Sequence, residues 1–233
     1  MAAVTAAGGT ISLLVGAVLL RLTLTGAYTR YVRPGMAPWL VIAGIVAATL
    51  GAVTVIRVLR RLPSVVGDGH HDDGETARAG WLLLAPIAAL LLVAPPALGS
   101  YGVGRGATVD VRAGAPVFDP LPADARAVPM SLLEYAQRAA EADGASFNGA
   151  TVELTGFVAG PDTEGFRLAR YQIACCAADA APVVVRVVGV HGDLLPRDEW
   201  VTVTGRFDPA GEQLPMLVAI GVTPIPQPDD PYE

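Results

Sequence analysis

The sequence predicts a membrane protein in two parts. An α-helical N-terminal part crosses the membrane, and a small all-β, barrel-like C-terminal domain with one flanking helix follows. The 233 residues are 52% hydrophobic with a mean hydropathy of +0.48, which is too apolar for an ordinary soluble domain. The long apolar stretches all precede residue 99, whereas after residue 150 the hydrophobic period changes to two, as in half-buried strands.

Charge is divided between the same two parts. Residues 1–129 hold 10 arginines against 7 acidic residues, a net charge of +3, and residues 130–233 hold 6 against 15, a net charge of −9. An acidic domain repels phosphate backbones, and aromatic residues such as Tyr171 and Trp200 occupy strand positions expected to face the core. We therefore expect no nucleic-acid binding.

Three apolar stretches are predicted to be transmembrane helices, over residues 10–27, 36–56 and 80–98. Each approaches the roughly 20 residues that cross a hydrocarbon core. No basic residue precedes the first stretch, so we interpret it as a retained helix rather than a secretory signal. Prolines in the third stretch predict a kink and a sharp end.

Basic residues near the span ends predict the orientation. The loop after the second span carries four arginines: Arg57, Arg60, Arg61 and Arg78. The loop before that span carries only Arg30 and Arg33. Cytoplasmic loops are enriched in basic residues, so we expect a multi-pass protein of the inner membrane with an extracytoplasmic C-terminal domain.

The first span contains one charged residue, Arg21. A guanidinium within an apolar helix is costly unless it reaches the interface or faces a protein partner. Its position near the end of the span is consistent with snorkelling to the headgroups. Contact with a partner helix or a ligand pathway is the alternative.

The predicted cytoplasmic loop contains the stretch GDGHHDDGE at residues 67–75. Its imidazoles and carboxylates make His70, His71, Asp72 and Asp73 candidate ligands for a divalent cation. Adjacent ligands on a glycine-flanked loop lack the fixed geometry of a selective site, so a solvated turn is the competing interpretation.

Residues 100–129 are rich in glycine, alanine and proline without a regular period, which predicts an extended linker. Ser131 and Glu134 form a capping-box pattern at the start of an amphipathic helix that ends near residue 142. We expect this helix to pack on the β domain. The tail at residues 227–233 combines prolines and acids and is expected to be extended and solvated.

The β domain is predicted over residues 130–226. Alternating stretches indicate five strands, near residues 151–157, 166–174, 183–190, 200–207 and 216–223. The repeated pattern at Thr151–Gly156 and Trp200–Gly205 resembles the strands of an OB fold, so the expected barrel is OB-like.

The two cysteines of the chain are adjacent, at Cys175 and Cys176, and Asp179 follows them. Neighbouring residues on a strand point to opposite faces, which argues against a two-thiolate chelate unless the strand breaks there. A disulfide between them is disfavoured, because Cα atoms across one trans peptide are about 3.8 Å apart. Three interpretations stay open: buried packing residues, redox chemistry, or a metal or ligand site with Asp179 and His191 as further ligands.

Cys175, Cys176, Ala178, Asp179 and Ala180, placed between two apolar strands, resemble the signature of the YcgQ-like family of bacterial permease subunits. Three further stretches carry the resemblance: Arg21-Leu-x-x-Thr25-Gly26, Tyr31-Val-x-Pro34, and Pro231-Tyr232. It implies membrane helices followed by an OB-like domain, and a partnership with a separate multi-spanning permease.

Motifs for a serine nucleophile, a phosphate-binding loop or an HExxH zinc site are absent from the sequence, and we predict that the protein is not an enzyme. The resulting hypothesis is an accessory subunit of a membrane transport complex, whose extracytoplasmic domain contacts substrate or the permease. The alternative is a membrane-anchored metal-binding or thiol-redox module that acts without a permease. A divalent metal is the candidate cofactor.

Overall fold

The computed structural model describes residues 2–60, 96–105, 109, 111, 118–123, 126–190, 195–211 and 213–233. The chain divides into two compact units. One comprises Met1–Tyr28 and Pro34–Pro96, and the other comprises Thr29–Arg33 and Ala97–Glu233. The short segment Thr29–Arg33 therefore belongs to the second unit, although it lies in sequence between the two helices of the first.

The first unit contains two long apolar helices, α1 (Ala2–Leu24) and α2 (Ala37–Arg60). Both are long and apolar enough to cross a membrane, with mean hydropathies of 1.7 and 2.3 over their spans. Large side chains on α2 face outward, with Trp39 65% and Leu50 62% exposed, unlike a core helix of a soluble protein. The helices therefore indicate membrane association. The predicted third span lies outside the described residues, except for residues 96–98.

Small residues allow α1 and α2 to approach each other closely. Four glycines lie where the helices meet: Gly9, Gly16, Gly44 and Gly51. A Cβ atom on Gly16 would come within 2.5 Å of the Ala48 nitrogen. The Ser12 hydroxyl donates a hydrogen bond of 3.1 Å across the pair to the Ala47 carbonyl. Such interfaces are typical of membrane helices, where close van der Waals packing drives association.

The second unit contains a mixed sheet of six strands. They are β1 (Val128–Met130), β2 (Thr151–Asp162), β3 (Gly165–Gln172), β4 (Ala181–Val188), β5 (Trp200–Asp208) and β6 (Met216–Pro224). Their order is β1-β2-β3-β4-β6-β5, and β2 also pairs with β5. The β1–β2 and β4–β6 pairs are parallel and the others are antiparallel. The five predicted strands correspond to β2–β6, whereas β1 was missed because it is short and contains Pro129.

The predicted flanking helix is α3 (Leu132–Ala140). Ser131 is its N-cap, and the Ser131 side chain accepts a 3.0 Å hydrogen bond from the Glu134 N–H, as the capping pattern predicted. Tyr135 on its inner face is wholly buried, and its hydroxyl donates a 2.6 Å hydrogen bond to the Met216 carbonyl. This bond and the buried ring attach the helix to the sheet.

Inward-facing side chains of the strands and α3 form two hydrophobic clusters. The larger one includes Leu132, Tyr135, Phe147, Leu154, Phe166, Leu168 and Leu217. The smaller one includes Phe157, Tyr171, Ile173, Trp200 and Tyr232. The ring centroid of Phe157 lies 5.8 Å from those of Tyr171 and Trp200. The smaller cluster supports the end of β3, immediately before the two cysteines.

The final part of the predicted linker packs on the domain. Leu121 is 8% exposed, and its N–H donates a 2.8 Å hydrogen bond to the Ser146 carbonyl. The Arg138 guanidinium lies 4.3 Å from the centre of the Phe118 ring. These contacts order residues that have no hydrophobic period of their own.

The end of the tail packs on the domain, so the expectation that the whole tail is solvated was wrong for Pro231 and Tyr232, which are buried, whereas Asp229 and Asp230 are exposed. Tyr232 is 3% exposed. Its hydroxyl accepts a hydrogen bond from the Leu98 N–H at 3.2 Å and donates one to the Arg30 carbonyl at 2.9 Å. A single aromatic side chain with a polar tip thus secures a segment that has no apolar face.

Glu233 completes the attachment of the tail. Its carboxylate accepts hydrogen bonds from the Leu132 and Leu133 N–H groups, at 2.9 and 3.2 Å, in the first turn of α3. Its backbone bonds to Tyr171 and Ile173 at 2.9 and 3.0 Å. Burial raises the pKa of Glu233, although the same hydrogen bonds oppose the shift.

Candidate functional site

The two cysteines lie in the connection between β3 and β4. The last pair of this hairpin is Gln172 with Ala181. Beyond it the chain leaves the strand conformation, and a single 3-10 turn, Ala177–Asp179, leads back into β4. Cys176 precedes this turn as its N-cap residue. The strand therefore ends before the cysteines, and the rule that neighbours point to opposite faces does not apply to them.

The break in the strand brings the two thiols together. The Sγ atoms of Cys175 and Cys176 are 3.7 Å apart, and both cysteines are free. Cys175 is exposed and Cys176 is half-buried. A two-thiolate chelate was disfavoured unless the strand breaks at the cysteines, and the strand does break there. The interpretation as buried packing residues does not fit, because neither thiol is in a hydrophobic cluster.

The Asp179 carboxylate closes the loop around the cysteines. Its Oδ1 accepts a hydrogen bond from the Ala174 N–H at 2.9 Å. Its Oδ2 accepts three, from the Cys175 and Cys176 N–H groups at 2.9 and 3.2 Å and from the Cys175 thiol at 2.9 Å. Four donors converge on one carboxylate, so Asp179 fixes the conformation in which the two thiols are adjacent.

The same contacts set the protonation of the site. The hydrogen bond to the Asp179 carboxylate raises the pKa of the Cys175 thiol from 9.0 to about 11. Hydrogen bonds from Cys175 and the loop N–H groups lower the pKa of Asp179 from 3.8 to about 2. At neutral pH, the Asp179 carboxyl group is therefore ionised and the Cys175 thiol is protonated.

The segment between the two helices packs against the cysteine loop. The Arg33 N–H donates a 3.2 Å hydrogen bond to the Cys175 carbonyl, and the Tyr31 carbonyl accepts a 2.7 Å hydrogen bond from the Ala177 N–H. Val32 and Cys176 form an isolated antiparallel bridge. The resemblance in sequence included Tyr31 but gave no reason to expect Tyr31–Arg33 at the cysteine loop. This segment contacts the loop through backbone atoms, which leave no pattern of residue types.

Of the other predicted site residues, the structure describes only Arg21. His70, His71, Asp72 and Asp73 lie outside the described residues, as does His191. Val188, three residues before His191, pairs with Gly165 at the end of the hairpin remote from the Gln172–Ala181 pair. The seven residue-to-residue steps from Ala181 to Val188 span about 23 Å at the usual strand rise. Arg21 is an exposed residue of the last turn of α1.

Cys175, Cys176 and Asp179 are the group of three metal-ligating side chains that the described part of the chain brings together. Their ligand atoms lie within 4.8 Å of one another. Thiolates are soft ligands that prefer zinc, copper(I) and related ions over magnesium or calcium. The site is therefore suited to a thiophilic cation.

The chain is a two-domain protein: two long apolar helices, whose length and composition suggest membrane association, precede a mixed β domain with an exposed pair of thiols. A family model described as the DUF1980 N-terminal domain matches residues 9–105, and one described as the DUF1980 C-terminal domain matches residues 135–233. The chain therefore belongs to the DUF1980 family. No curated protein and no solved structure matches it.

Proposed function

We propose that the protein is a membrane-anchored module whose C-terminal domain binds a thiophilic divalent cation through Cys175 and Cys176. The observation that carries this proposal is the 3.7 Å separation of two accessible thiols in a loop fixed by Asp179. Side chains kept for packing are buried, and these are not. A disulfide between neighbours conflicts with the usual Cα separation, whereas metal coordination needs no covalent closure.

Metal content of the intact chain tests this proposal. The full-length protein is purified in mild detergent under anoxic conditions, dialysed against buffered Zn²⁺ and analysed for metal. We expect about one ion per chain, and its loss in the double variant Cys175→Ser/Cys176→Ser. Asp162→Asn serves as a control, because this remote carboxylate pairs with Arg186.

The predicted loop ligands provide the contrasting outcome. If zinc is lost in His70→Ala/His71→Ala and retained in the cysteine variant, the thiol site is refuted in favour of the loop. Zinc bound equally by all variants is non-specific and also contradicts the proposal.

The proposal includes a multi-pass arrangement with the C-terminal domain outside the cytoplasm. Thr29–Arg33 connects α1 to α2 and forms one compact unit with the sheet, so this turn and the sheet share one side of any membrane that both helices cross. Arg57 and Arg60 at the other end of α2 favour a cytoplasmic location for that end. A reporter fused after Glu233 tests the orientation, and a cytoplasmic reporter would contradict it.

The proposal also retains an OB-like architecture for the domain. The pairing of β2 with both β3 and β5 supports it, because the sequence β2-β3-β4-β6-β5 then returns to β2. A closed arrangement leaves no unpaired edge among these five strands. A solved structure with β2 and β5 unpaired would refute it.

A second candidate function is an accessory subunit of a membrane transport complex, as the resemblance to the YcgQ-like permease subunits implies. The hydrogen bonding of hydroxyl groups in α1 and α2 supports this candidate. Hydroxyls of Thr23, Thr49 and Thr54 donate to carbonyls of their own helices, so these three groups are a poor basis for an ion pathway. Transport of a bound cation would therefore require another membrane protein, and Arg21 is the candidate contact with it.

Co-purification tests the second candidate. The protein is isolated from its native membrane with and without crosslinking, and proteins present in near-equal amounts are identified. A multi-spanning partner whose recovery falls in Arg21→Ala supports the subunit hypothesis. Its absence after crosslinking refutes it and leaves the metal-binding proposal unaffected.

A further inference from the structure

We infer that Cys175 and Cys176 form half of a tetrahedral metal site, and that two ligands from outside the chain complete it. This inference rests on the proposed metal-binding function. It assigns the site to cation exchange with a partner rather than to permanent metal storage. Four observations support the inference: the distance between the two sulfur atoms, the hydrogen bonds that Asp179 already accepts, the backbone surroundings of the thiols and the exposure of Cys175.

The thiol separation fits a tetrahedral cation. With two metal–sulfur bonds of about 2.3 Å, sulfur atoms 3.7 Å apart subtend an angle of about 107° at the metal. The tetrahedral angle is about 109°, so the Cys175 and Cys176 thiolates can bind one ion without rearrangement of the loop. A linear two-coordinate ion would need a separation of about 4.6 Å with the same bonds.

Asp179 is poorly placed to supply a third bond. Its Oδ2 accepts the Cys175 and Cys176 N–H groups and its Oδ1 accepts the Ala174 N–H, and these three bonds remain after the thiol protons are lost. Binding the cation through Oδ2 would disrupt the bonds that hold the thiols together. We therefore assign Asp179 as a positioning residue that acts through the loop.

The rest of the described surroundings provides backbone rather than soft ligands. On one side, Tyr31–Arg33 contacts the loop through main-chain hydrogen bonds. Among the described residues, the metal-ligating cluster contains Cys175, Cys176 and Asp179 and no fourth member. Two positions of a tetrahedral ion held by the thiols therefore have no ligand among the described residues, and the exposure of Cys175 leaves them accessible.

Binding of a divalent cation is balanced by the release of the two thiol protons. A divalent cation that replaces both thiol protons forms two metal–sulfur bonds and releases two protons to solvent, without any oxidation or reduction. A cation held by two thiolates keeps two positions for an incoming ligand pair, which reaches the ion more readily than it would in a closed four-thiolate site. The complementary partner is a protein that presents two soft ligands, thiolate or imidazole.

X-ray absorption of the cobalt-loaded, full-length protein in detergent tests the inference. We expect two sulfur ligands and two oxygen or nitrogen ligands per Co²⁺ ion when the chain is alone. Glutathione, added as a stand-in for a partner thiolate, is expected to raise the sulfur count to three or four while the ion stays on the protein. His191→Ala is expected to leave the spectrum unchanged.

The outcomes separate this inference from the proposed function. No bound cobalt, or equal binding by Cys175→Ser/Cys176→Ser, refutes both. Bound cobalt with four sulfur ligands before glutathione is added shows that a second copy of the chain supplies the other two ligands, which refutes the assignment to cation exchange with a partner while metal binding stands. Loss of a nitrogen ligand from cobalt in His191→Ala also refutes the half-site, and the metal-binding function stands. A sulfur count that glutathione does not change has the same meaning.

Discussion

Replacing Asp179 with asparagine should make Cys175 more reactive. Four hydrogen bonds converge on the Asp179 carboxylate, and the one from the thiol is the largest cause of the raised pKa of Cys175. We choose the Cys176→Ser background, in which Cys175 is the only thiol. The measurement is the rate of disulfide exchange with 4,4′-dithiodipyridine at pH 8.

The size of the effect follows from two opposing factors. A pKa near 11 leaves about 0.1% of the Cys175 thiol ionised at pH 8, and the ordinary value of 9.0 would leave about 9%. The gain in thiolate is therefore about 90-fold. A thiolate of lower pKa is intrinsically less nucleophilic, by about eightfold over two pKa units. The net expectation is a reaction about tenfold faster in Asp179→Asn.

Asp162→Asn provides the matched control. The Asp162 carboxylate bonds to Arg186, at the end of the β3–β4 hairpin away from Cys175, and its removal should leave the exchange rate unchanged. An unchanged or slower rate in Asp179→Asn would refute the assigned role of the carboxylate. A pH–rate profile that inflects near pH 9 in the Cys176→Ser protein with Asp179 intact would also refute this role.

Three further predictions concern the fold. Gly16→Val should destabilise the α1–α2 pair by about 1–3 kcal/mol in detergent unfolding, because a side chain there meets the backbone of α2. Gly8→Val is the control, since a Cβ atom at Gly8 meets nothing within 4 Å, and equal effects would contradict the packing. Tyr232→Phe should lower the free energy of unfolding by about 1–3 kcal/mol, because two hydrogen bonds are lost and their partners are buried in part. No change would show that the tail is not secured by this hydroxyl. The folded-state pKa of Glu233 is raised above 4.5, so its protonated form favours the fold, and this stability is lost as the pH rises from 4.5 through the raised value. Melting temperatures between pH 4 and 7 should fall less steeply with rising pH in Glu233→Gln, and an identical slope would contradict the burial of this carboxylate.

Local sequence signals predicted most of the described elements. The apolar stretches at residues 10–27 and 36–56 correspond to α1 and α2, and the capping residue Ser131 marks the start of α3. Hydrophobic alternation located β2–β6, because each strand buries one face. These features depend on neighbours within a few residues, which the sequence displays directly.

The arrangement of the site could not be predicted in the same way. The predicted strand over residues 166–174 ran two residues beyond the end of β3 at Gln172, which has no proline or glycine to mark it, so the conformation of the adjacent cysteines was left open. The contact between Tyr31–Arg33 and the loop joins residues about 140 positions apart through backbone atoms. Cys175, Cys176 and Asp179 were candidates because their side chains can bind metals. Only the fold showed that Asp179 positions the two thiols.

The most direct test of the central claim is an optical titration of the full-length protein with Co²⁺ under anoxic conditions. Thiolate ligands give an intense charge-transfer absorption, so its growth reports on coordination by Cys175 and Cys176. We predict saturation at one ion per chain, about half the absorption in each single serine variant with weaker binding, and none in the double variant. Absorption that survives in the double variant, or none in the unmodified chain, would contradict the account.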